Sequence, residues 1–469
     1  MPPALALSLY FIVLFGLLLY DPAKETRTSW ALWVPLIWMF IAGSRLPSQW
    51  LGGQVSSAAE AYQEGNPLDR TIFFVLIMMA IGILISRSFK WGDLLTRNLA
   101  LVAFLSFALV SVLWSDFPFV AFKRWFRDLG NYLVVLVVLS DASPLQAVRV
   151  LLRRLSYLLI PLSIVLIKYY PQIGRGYSEW TGAVTYNGVT TGKDLLGTIC
   201  LISGIFCFWD TMTRWEDRRQ PRTRRIIMVN VAFIAMSLWL LYLADCATCR
   251  VCLVLGCLVI AAAHTRVVKR HPAPLKVFIP LIVCICLFLV FGVDMKATIA
   301  SSVGRDATFT DRTLLWPYLL SLRINPLLGT GYESFWLGPR LTQIWNKWAF
   351  RPNQAHNGYL EVYLNLGLVG VCFIGGVLIA SYRKISRTLS AELGVASLKL
   401  ALWMILPIYN ITTSDFGKGE VMWLSFLLVA IATPARTKGQ LRSVAMFDNA
   451  IATKRLPSLP LRITGGGEW

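Results

Sequence analysis

A long series of apolar stretches constrains the fold of this chain more than any other feature of its sequence. About 20 apolar residues in a helix cross a hydrocarbon core of roughly 30 Å. The strongest stretches are residues 4–20, 71–86, 98–114, 226–243, 248–263, 276–293 and 358–380. Weaker ones are residues 30–43, 129–140, 150–169, 194–210, 397–411 and 420–433. The sequence therefore predicts an all-α polytopic membrane protein with about 11–14 transmembrane helices.

The distribution of charge fits a membrane protein. Of the 469 residues, 56% are hydrophobic and 15% are charged, and the net charge is +20. If alternate loops are assigned to the two sides of a membrane, with the N-terminus outside, more than half of the 45 lysines and arginines fall on one side. Basic loops mark the cytoplasmic side of a membrane. The positive charge thus indicates topology, and no nucleic-acid partner is expected.

This topology divides the chain into two parts. Residues 1–433 are predicted to form the transmembrane domain, with a large external loop at 294–357 and a smaller one at 170–193. Residues 434–469 are predicted to form a basic, mostly disordered cytoplasmic tail. The nine cysteines fall in or beside the predicted spans, including CATCRVC at 246–252. Two CxxC steps in one helix lack a fourth ligand for a tetrahedral metal site, so packing is favoured over metal binding.

The large external loop contains an amphipathic pattern. In TFTDRTLLWPYLLSLRINPLLGTGYESFW, Asp311 is a good N-cap residue. One helical stripe is formed by Leu314, Leu315, Tyr318, Leu319 and Leu322. Pro326, Gly329 and Gly331 then break the helix. Because irregular backbone at a membrane is tolerated where it lines a polar cavity, we expect this loop to cover an external cavity.

Common enzyme motifs are missing. GVTTGKD at 188–194 is one residue short of a P-loop and lacks the final Ser or Thr. The sequence contains no HExxH, no DxD and no nucleophile elbow. No metal and no cofactor are expected.

Basic residues on the predicted outer side are candidates for anion binding. Arg250 lies at the outer start of span 248–263, where a charge is costly unless it faces a cavity. Arg305 and Arg312 lie in the large external loop. Anchoring at the interface is the alternative role. It is favoured for Lys123 and Arg124 and disfavoured for Arg250 and Arg312.

His356, in RPNQAHNGYLEVYLNLGLVG, is predicted to begin the helix of span 358–380. A helix N-terminus and nearby arginines both disfavour imidazolium, so a neutral side chain able to accept a proton is expected. Gly367 lies eleven residues further on, close to three turns, and is predicted to leave room beneath His356 on the same face. A structural role is the alternative, since a lone histidine at an interface more often has one.

These segments resemble the O-antigen ligase and O-antigen polymerase superfamily, most closely its exopolysaccharide polymerases. The family pattern joins an Arg ahead of a Trp, a Pro-Leu-(Leu)-Gly-x-Gly turn and a His-Asn-x-Tyr-Leu helix with Gly eleven residues after the His. The matching residues are Arg312, Trp316, Pro326, Gly329, Gly331, His356, Asn357, Tyr359, Leu360 and Gly367. The resemblance covers roughly residues 110–380 and is most specific at 305–370.

The resemblance implies a glycosyltransferase that needs no metal, in the bacterial inner membrane, with its active site facing the periplasm. The implied donor is a glycan on undecaprenyl pyrophosphate. His356 would be the catalytic base. The pyrophosphate would be held by Arg312, Arg250, Arg305 and Lys193. The sugars would be bound by Asn357, Tyr359, Trp316 and Trp336. Gly329, Gly331 and Gly367 would be structural. Implied partners are membrane lipid, a chain-length regulator and a flippase.

Several functions stay open at this point. A polymerase joins lipid-linked repeat units, whereas a ligase transfers the finished glycan to lipid A core, and the motifs do not separate them. A transporter of anions such as bicarbonate is a third possibility, because many spans and basic residues suit an anion path. A structural scaffold is a fourth. The exopolysaccharide-like details favour the polymerase.

Overall fold

The computed structural model describes residues 1–19, 29–52, 65–87, 90–177, 182–291, 312–348, 350–390 and 392–432. The predicted tail, 434–469, and Arg305 lie outside them. Within these ranges the α-helices are Pro3–Leu19, Trp33–Ala42, Pro47–Trp50, Pro67–Ser86, Trp91–Arg97, Leu99–Val110, Pro118–Leu139, Pro144–Tyr169, Pro171–Gly174, Lys193–Arg214, Pro221–Ala244, Ala247–His264, Arg266–Arg270, Leu275–Phe291, Arg312–Ser321, Gly338–Lys347, Gly358–Thr388, Leu393–Tyr409 and Val421–Ala430. Short 3-10 turns are Trp30–Leu32, Ser111–Trp114 and Trp215–Asp217. One antiparallel pair of strands, Arg175–Tyr177 and Val184–Tyr186, lies in the smaller external loop. The prediction of an all-α membrane protein is confirmed.

The number of full-length transmembrane helices among the described residues is smaller than the 11–14 predicted. Six are long and apolar enough to cross a membrane, and Trp91–Arg97 with Leu99–Trp114 forms a further pair bent by 92°. Most of the other predicted spans correspond to five apolar helices of 10–17 residues. These are shorter than the roughly 20 residues that cross a hydrocarbon core without distortion.

One end of the helix bundle, which we call the His356 end, collects the loops that the sequence places outside. Ser115 Oγ lies 2.6 Å from Ser334 Oγ. Thr248 Oγ1 lies 2.7 Å from Thr412 Oγ1. These contacts bring together segments that are distant in sequence.

The opposite end, which we call the Asp210 end, collects loops that the sequence places in the cytoplasm. Arg149, Arg153 and Arg214 converge on Asp210 there. Trp209 Nε1 donates to the carbonyl of Gly394 at 2.6 Å. Trp209 and the three arginines thus connect three segments at this end, and which end faces the cytoplasm stays a prediction.

Residues 312–348 and 350–357, which we call the roof, form a small hydrophobic core together with the start of the helix Gly358–Thr388. Its buried members are Leu315, Leu319, Phe335, Trp336, Leu341, Ile344, Ala355 and Leu364. The predicted helix is present at Arg312–Ser321, and a second helix that the sequence did not predict, Gly338–Lys347, packs beside it. Lys347 Nζ lies 4.0 Å from the centre of the Tyr318 ring. On the predicted stripe, Leu315 and Leu319 are buried in this core, whereas Leu314 is 62% exposed.

The helix Gly358–Thr388 is broken at Gly367, where φ is 65 and ψ is −167, and we call it the broken helix. In an unbroken helix, the amides of Leu368 and Val369 would donate to the carbonyls four residues earlier. They donate instead to the carbonyls of Pro326 at 2.9 Å and Leu327 at 3.2 Å. The roof thus satisfies two donors that the break releases.

The acceptors released by the break are satisfied by the same roof segment. The carbonyl of Leu364 accepts from the amide of Thr330 at 3.1 Å, and that of Asn365 accepts from the amide of Gly331 at 2.8 Å. The broken helix and the turn at 326–331 therefore exchange four backbone hydrogen bonds. This exchange satisfies groups that would be costly to bury unpaired.

Close contact between these two backbones requires glycine. A Cβ at Gly367 would lie 2.2 Å from the carbonyl carbon of Leu327, and one at Gly329 would lie 2.4 Å from that of Asn365. The expectation that Gly367 leaves room beneath His356 is wrong, because the helix breaks at Gly367 and that residue packs against the roof turn.

Candidate active site

The turn that carries His356 is strained and firmly held. His356 has φ 51, a left-handed conformation that few residues other than glycine adopt. The amide of Ala355 donates to Glu361 Oε2 at 2.7 Å. The carbonyl of Ala355 accepts from Trp316 Nε1 at 2.8 Å. The surrounding hydrogen bonds therefore fix the backbone from which the imidazole projects.

On the other side of His356, Asn357 caps the broken helix. The Asn357 side chain accepts from the amides of Tyr359 and the residue after it. Its own amide donates to Ser414 Oγ at 3.1 Å. The helix thus begins at Gly358. The prediction that His356 begins it is wrong by two residues, because Asn357 is the better cap.

Residues 410–420 form a hub that holds this end of the bundle together. The carbonyl of Asn410 accepts from the amide of Gly358 at 2.8 Å. Asn410 Oδ1 accepts from the amides of Asp415 at 2.9 Å and Phe416 at 3.2 Å. The hub also carries Ser414, and it therefore connects the His356 turn to the last two helices.

A charged network lies beneath the roof. Lys418 Nζ lies 3.0 Å from Glu361 Oε1 and 3.3 Å from Glu333 Oε1. A guanidinium nitrogen of Arg124 donates to the carbonyl of Glu333 at 2.6 Å. A single lysine thus joins a roof carboxylate to a carboxylate of the broken helix.

The network continues into the helix Pro118–Leu139. Asp128 Oδ2 accepts from the hydroxyl of Tyr332 at 3.0 Å. Arg127 pairs with Asp128 at 3.2 Å. Arg124 and Arg127 therefore serve the roof, rather than only anchoring the chain at an interface.

Two carboxyl groups here have pKa values shifted in opposite directions. Burial alone would raise the pKa of Glu333, but the charges of Lys418 and Arg124 outweigh it and lower that pKa below its usual value. Burial and the charge of Glu420 raise the pKa of Asp415 well above its usual value. Glu333 is therefore an anion at neutral pH.

Two of the four predicted pyrophosphate-binding residues lie at the His356 end. Lys193 begins its helix beside Asp194, whose charge acts on Asp415. Arg250 lies two residues after Thr248, which bonds to the hub. The Arg250 side chain is 44% exposed on the protein surface, and its guanidinium lies 2.6 Å from Asp245 Oδ1. Its predicted contact with a pyrophosphate stays a prediction.

The positions of the other two predicted pyrophosphate-binding residues, Arg312 and Arg305, are described in part or not at all. Arg312 is the first residue of the helix Arg312–Ser321. Its side chain lies outside the description, as does Arg305 altogether. Their predicted contacts with a pyrophosphate stay predictions.

The predicted sugar-binding aromatic residues have partners within the protein. Trp336 is 2% exposed and donates to Glu361 at 2.9 Å. The Tyr359 hydroxyl donates to the carbonyl of Pro407 at 2.9 Å. Trp316 is half-buried and holds the His356 turn, as described above. Trp336 therefore presents no face to a sugar in this conformation, while the substrate roles of the others stay predictions.

Two cavities lie at the roof. One of about 430 Å³ opens between the two roof helices and is lined by Ser321, Leu322, Arg323, Pro339, Arg340 and Gln343. Another of about 20 Å³ lies beneath the roof beside Glu333, Glu361 and Lys418. The second is large enough for one water molecule.

The three cysteines of CATCRVC are buried, whereas Cys284 and Cys372 are exposed. All nine are free, and a Cβ at Gly197 would lie 2.8 Å from Cys246 Cβ and 3.0 Å from Cys249 Sγ. Across the ranges that the structure describes, no group of three or more His, Cys, Asp or Glu side chains could hold a metal ion.

Sequence reasoning missed Glu361, Lys418 and Glu333. The candidate charged residues were all cations on the predicted outer side. Glu361, in contrast, lies within the apolar stretch 358–380. An acidic residue inside a predicted span is costly unless it is paired. That signal could have identified Glu361 and predicted a cationic partner such as Lys418.

Comparisons with known proteins point to the same region of the chain. Residues 231–375 match the family model described as O-antigen ligase, and this segment contains Arg250, Arg312 and His356. The chain is also 21% identical over 341 residues to the exopolysaccharide production protein ExoQ of Rhizobium meliloti (strain 1021). That alignment covers 71% of this chain and 72% of the relative.

Proposed function

From the premise that this chain is a multi-pass membrane protein of the O-antigen ligase superfamily, in its exopolysaccharide branch, we propose that it polymerises lipid-linked sugar repeats. The donor is an oligosaccharide repeat unit on undecaprenyl pyrophosphate. The product is exopolysaccharide or O-antigen, made at the periplasmic face of the inner membrane. The enzyme is a glycosyltransferase that needs neither metal nor cofactor.

The observation that carries this proposal is the fixed presentation of His356. Its turn is bonded on both sides, lies at one end of the bundle and falls inside the segment that matches the family. A side chain held in this way suits proton transfer, which requires a positioned base. The end of a membrane bundle is also where a lipid-borne donor and a water-borne acceptor meet.

In the proposed reaction, His356 acts as a general base. The neutral imidazole takes the proton of an acceptor hydroxyl while that oxygen attacks the anomeric carbon of the donor. The new glycosidic bond forms as the bond to the pyrophosphate oxygen breaks. Undecaprenyl pyrophosphate leaves with the electron pair, and the imidazolium later returns its proton to solvent.

The leaving pyrophosphate gains negative charge, which cations must stabilise. Arginine offers two parallel hydrogen bonds to a phosphate, and its charge persists at any physiological pH. Arg312 and Arg250 are proposed for this role, assisted by Arg305 and Lys193. The pair between Arg250 and Asp245 must then open or rotate when the donor binds.

A ligase is the second candidate, because the matched family model is described as O-antigen ligase. It would use the same base and cations but transfer a finished glycan to lipid A core or another acceptor. The name of the aligned relative mentions exopolysaccharide production, which favours the polymerase.

The test is to delete the gene in its host and measure the undecaprenyl-linked glycans by mass spectrometry. Accumulation of single repeat units on the carrier would support a polymerase, and accumulation of full polymer on the carrier would indicate a ligase. An unchanged pool would contradict both and favour solute transport. A wild-type gene copy that restores the pool is the control.

A further inference from the structure

We propose that Glu361 is a positioning residue for His356, an inference that rests on the proposed base role of that histidine. Glu361 is 3% exposed and lies in the first turn of the broken helix. Its Oε2 accepts from the amide of Ala355, the residue directly before His356, at 2.7 Å. Because the side chain is buried, we expect its effect on catalysis to be exerted through the turn.

Both oxygens of this carboxylate accept hydrogen bonds at the site. Oε2 accepts from Ala355, and Oε1 receives Trp336 Nε1 at 2.9 Å, Lys418 Nζ at 3.0 Å and Asn365 Nδ2 at 3.4 Å. Four donors thus converge on one acceptor-only group. A glutamine would keep one acceptor oxygen but replace the other with a donor, which would face another N–H group.

The conformation of His356 explains why this acceptor matters. A non-glycine residue in the left-handed region costs roughly 1–3 kcal/mol and persists only where its surroundings hold it. Among the described residues, hydrogen bonds to the amide and carbonyl of Ala355 and to the amide of Asn357 hold the turn. The bond to Glu361 is the one that ends on a charged group, and such bonds are the stronger ones. Loss of it would release the turn toward ordinary backbone conformations.

Lys418 extends the effect of Glu361 to the roof. It lies within 3.3 Å of carboxylate oxygens on both Glu333 and Glu361. Without Lys418, both carboxylates would lose a cationic partner. Lys418 therefore connects the carboxylate that holds the His356 turn to a carboxylate of the roof. A change at Lys418 should disturb His356 less than a change at Glu361, because the hydrogen bond to the turn is made by Glu361, and Lys418 bonds to Glu361 in turn.

The test uses full-length protein in lipid nanodiscs with His264→Gln and His271→Gln, which leaves His356 as the only histidine of the original three. With 15N-labelled histidine, NMR then reports on His356 without any assay of activity. Steady-state kcat and KM are measured with the lipid-linked repeat unit isolated from the deletion strain. The variants are Glu361→Gln, Glu361→Asp and Lys418→Gln.

We expect Glu361→Gln to shift or split the His356 resonance and to lower kcat about 10- to 100-fold, as small misplacements of catalytic groups do, with KM little changed. Glu361→Asp keeps the charge but is one methylene shorter, so it should fall between wild type and Glu361→Gln. If Glu361→Gln does not fold, Glu361→Asp and Lys418→Gln carry the test.

The matched control is Asp69→Asn. Asp69 is also a buried carboxylate that accepts from a backbone amide, that of Ser48 at 2.8 Å. This control should lower thermal stability without moving the His356 resonance. An unmoved resonance in Glu361→Gln, or a rise in KM alone, would overturn the proposal. If wild-type protein shows no transferase activity, the proposed function fails, while the NMR result still judges the positioning role.

Discussion

The two ends of the bundle both bury charge, but they hold it on different kinds of backbone. At the Asp210 end, Asp210 accepts from Arg153 at 3.1 Å, Arg214 at 3.0 Å and Asn230 at 3.1 Å. These residues all lie on regular helices. At the His356 end, Glu333 and His356 both have positive φ.

Backbone strain among the described residues is confined to one of these ends. The non-glycine residues with positive φ are Asp245, Glu333, Arg351 and His356, and all four lie at the His356 end. Regular helices suffice to bury a charged cluster, so strain is not a requirement of burial. Strained residues concentrate where a side chain must be aimed. The comparison therefore separates an end built from regular helices from the strained end where we propose that the chemistry takes place.

The largest expected effect is that of His356→Asn. Asparagine tolerates the left-handed conformation, so the fold should be kept. Transfer of glycan should fall by about 10²- to 10⁴-fold, the usual contribution of a positioned base. The measurement is initial rate with lipid-linked repeat units at a single protein concentration. Wild-type activity in this variant would contradict a catalytic role for His356.

Asp210→Asn should act on stability alone. It removes the carboxylate that three buried or half-buried arginines share, and loss of one partner from a buried ion pair costs about 3–5 kcal/mol. Thermal unfolding in detergent should shift down, while kcat per folded molecule stays unchanged. A fall in kcat with an unchanged unfolding temperature would break the division between the two ends.

Gly367→Ala should destabilise the roof. An alanine at φ 65 and ψ −167 carries about 1–3 kcal/mol of strain, and its Cβ would overlap the backbone of Leu327. Thermal unfolding should shift down and activity should fall with it. Gly375→Ala in the same helix is the control, because no atom lies within 4 Å of its added Cβ. Equal effects of the two variants would contradict the exchange of hydrogen bonds.

Acid should loosen the roof through Glu333. Its pKa is lowered in the folded protein from an ordinary value of 4.5, so its stabilising contribution is fully present above that value. The contribution is lost as the pH falls through the lower, folded pKa. Unfolding temperatures measured between about pH 3 and 6 should therefore drop more steeply for wild type than for Glu333→Gln. Parallel curves would show that Glu333 does not contribute in this way.

The smallest expected effect is that of Leu314→Ser. The side chain is 62% exposed on the roof, away from its core. Surface substitutions of this kind usually change the free energy of unfolding by less than about 0.5 kcal/mol. Leu315→Ser is the paired comparison, since Leu315 is fully buried. A large loss of stability in Leu314→Ser would indicate that another molecule or segment covers that surface.

Features with a local periodic pattern can be predicted from the sequence, whereas features that depend on contacts between distant segments cannot. Apolar periodicity is a local property, so the membrane helices and the helix Arg312–Ser321 follow from it. The break at Gly367 depends on a turn that comes earlier in the chain, and no local pattern reports it. The family resemblance singles out His356, but the partners of its turn, Glu361 and Ser414, come from separate segments. Their roles follow from the three-dimensional arrangement.

The exchange of backbone hydrogen bonds at Gly367 has a consequence for the order of assembly. The turn at 326–331 is synthesised before the broken helix. Until that helix is made, the amides and carbonyls of the turn lack their final hydrogen-bond partners. The helix, in turn, cannot complete its own ladder through the break without them. Neither segment reaches its final hydrogen bonding alone. A chain that is cut or delayed between them should therefore leave both halves exposed to quality-control proteases, however apolar each half is.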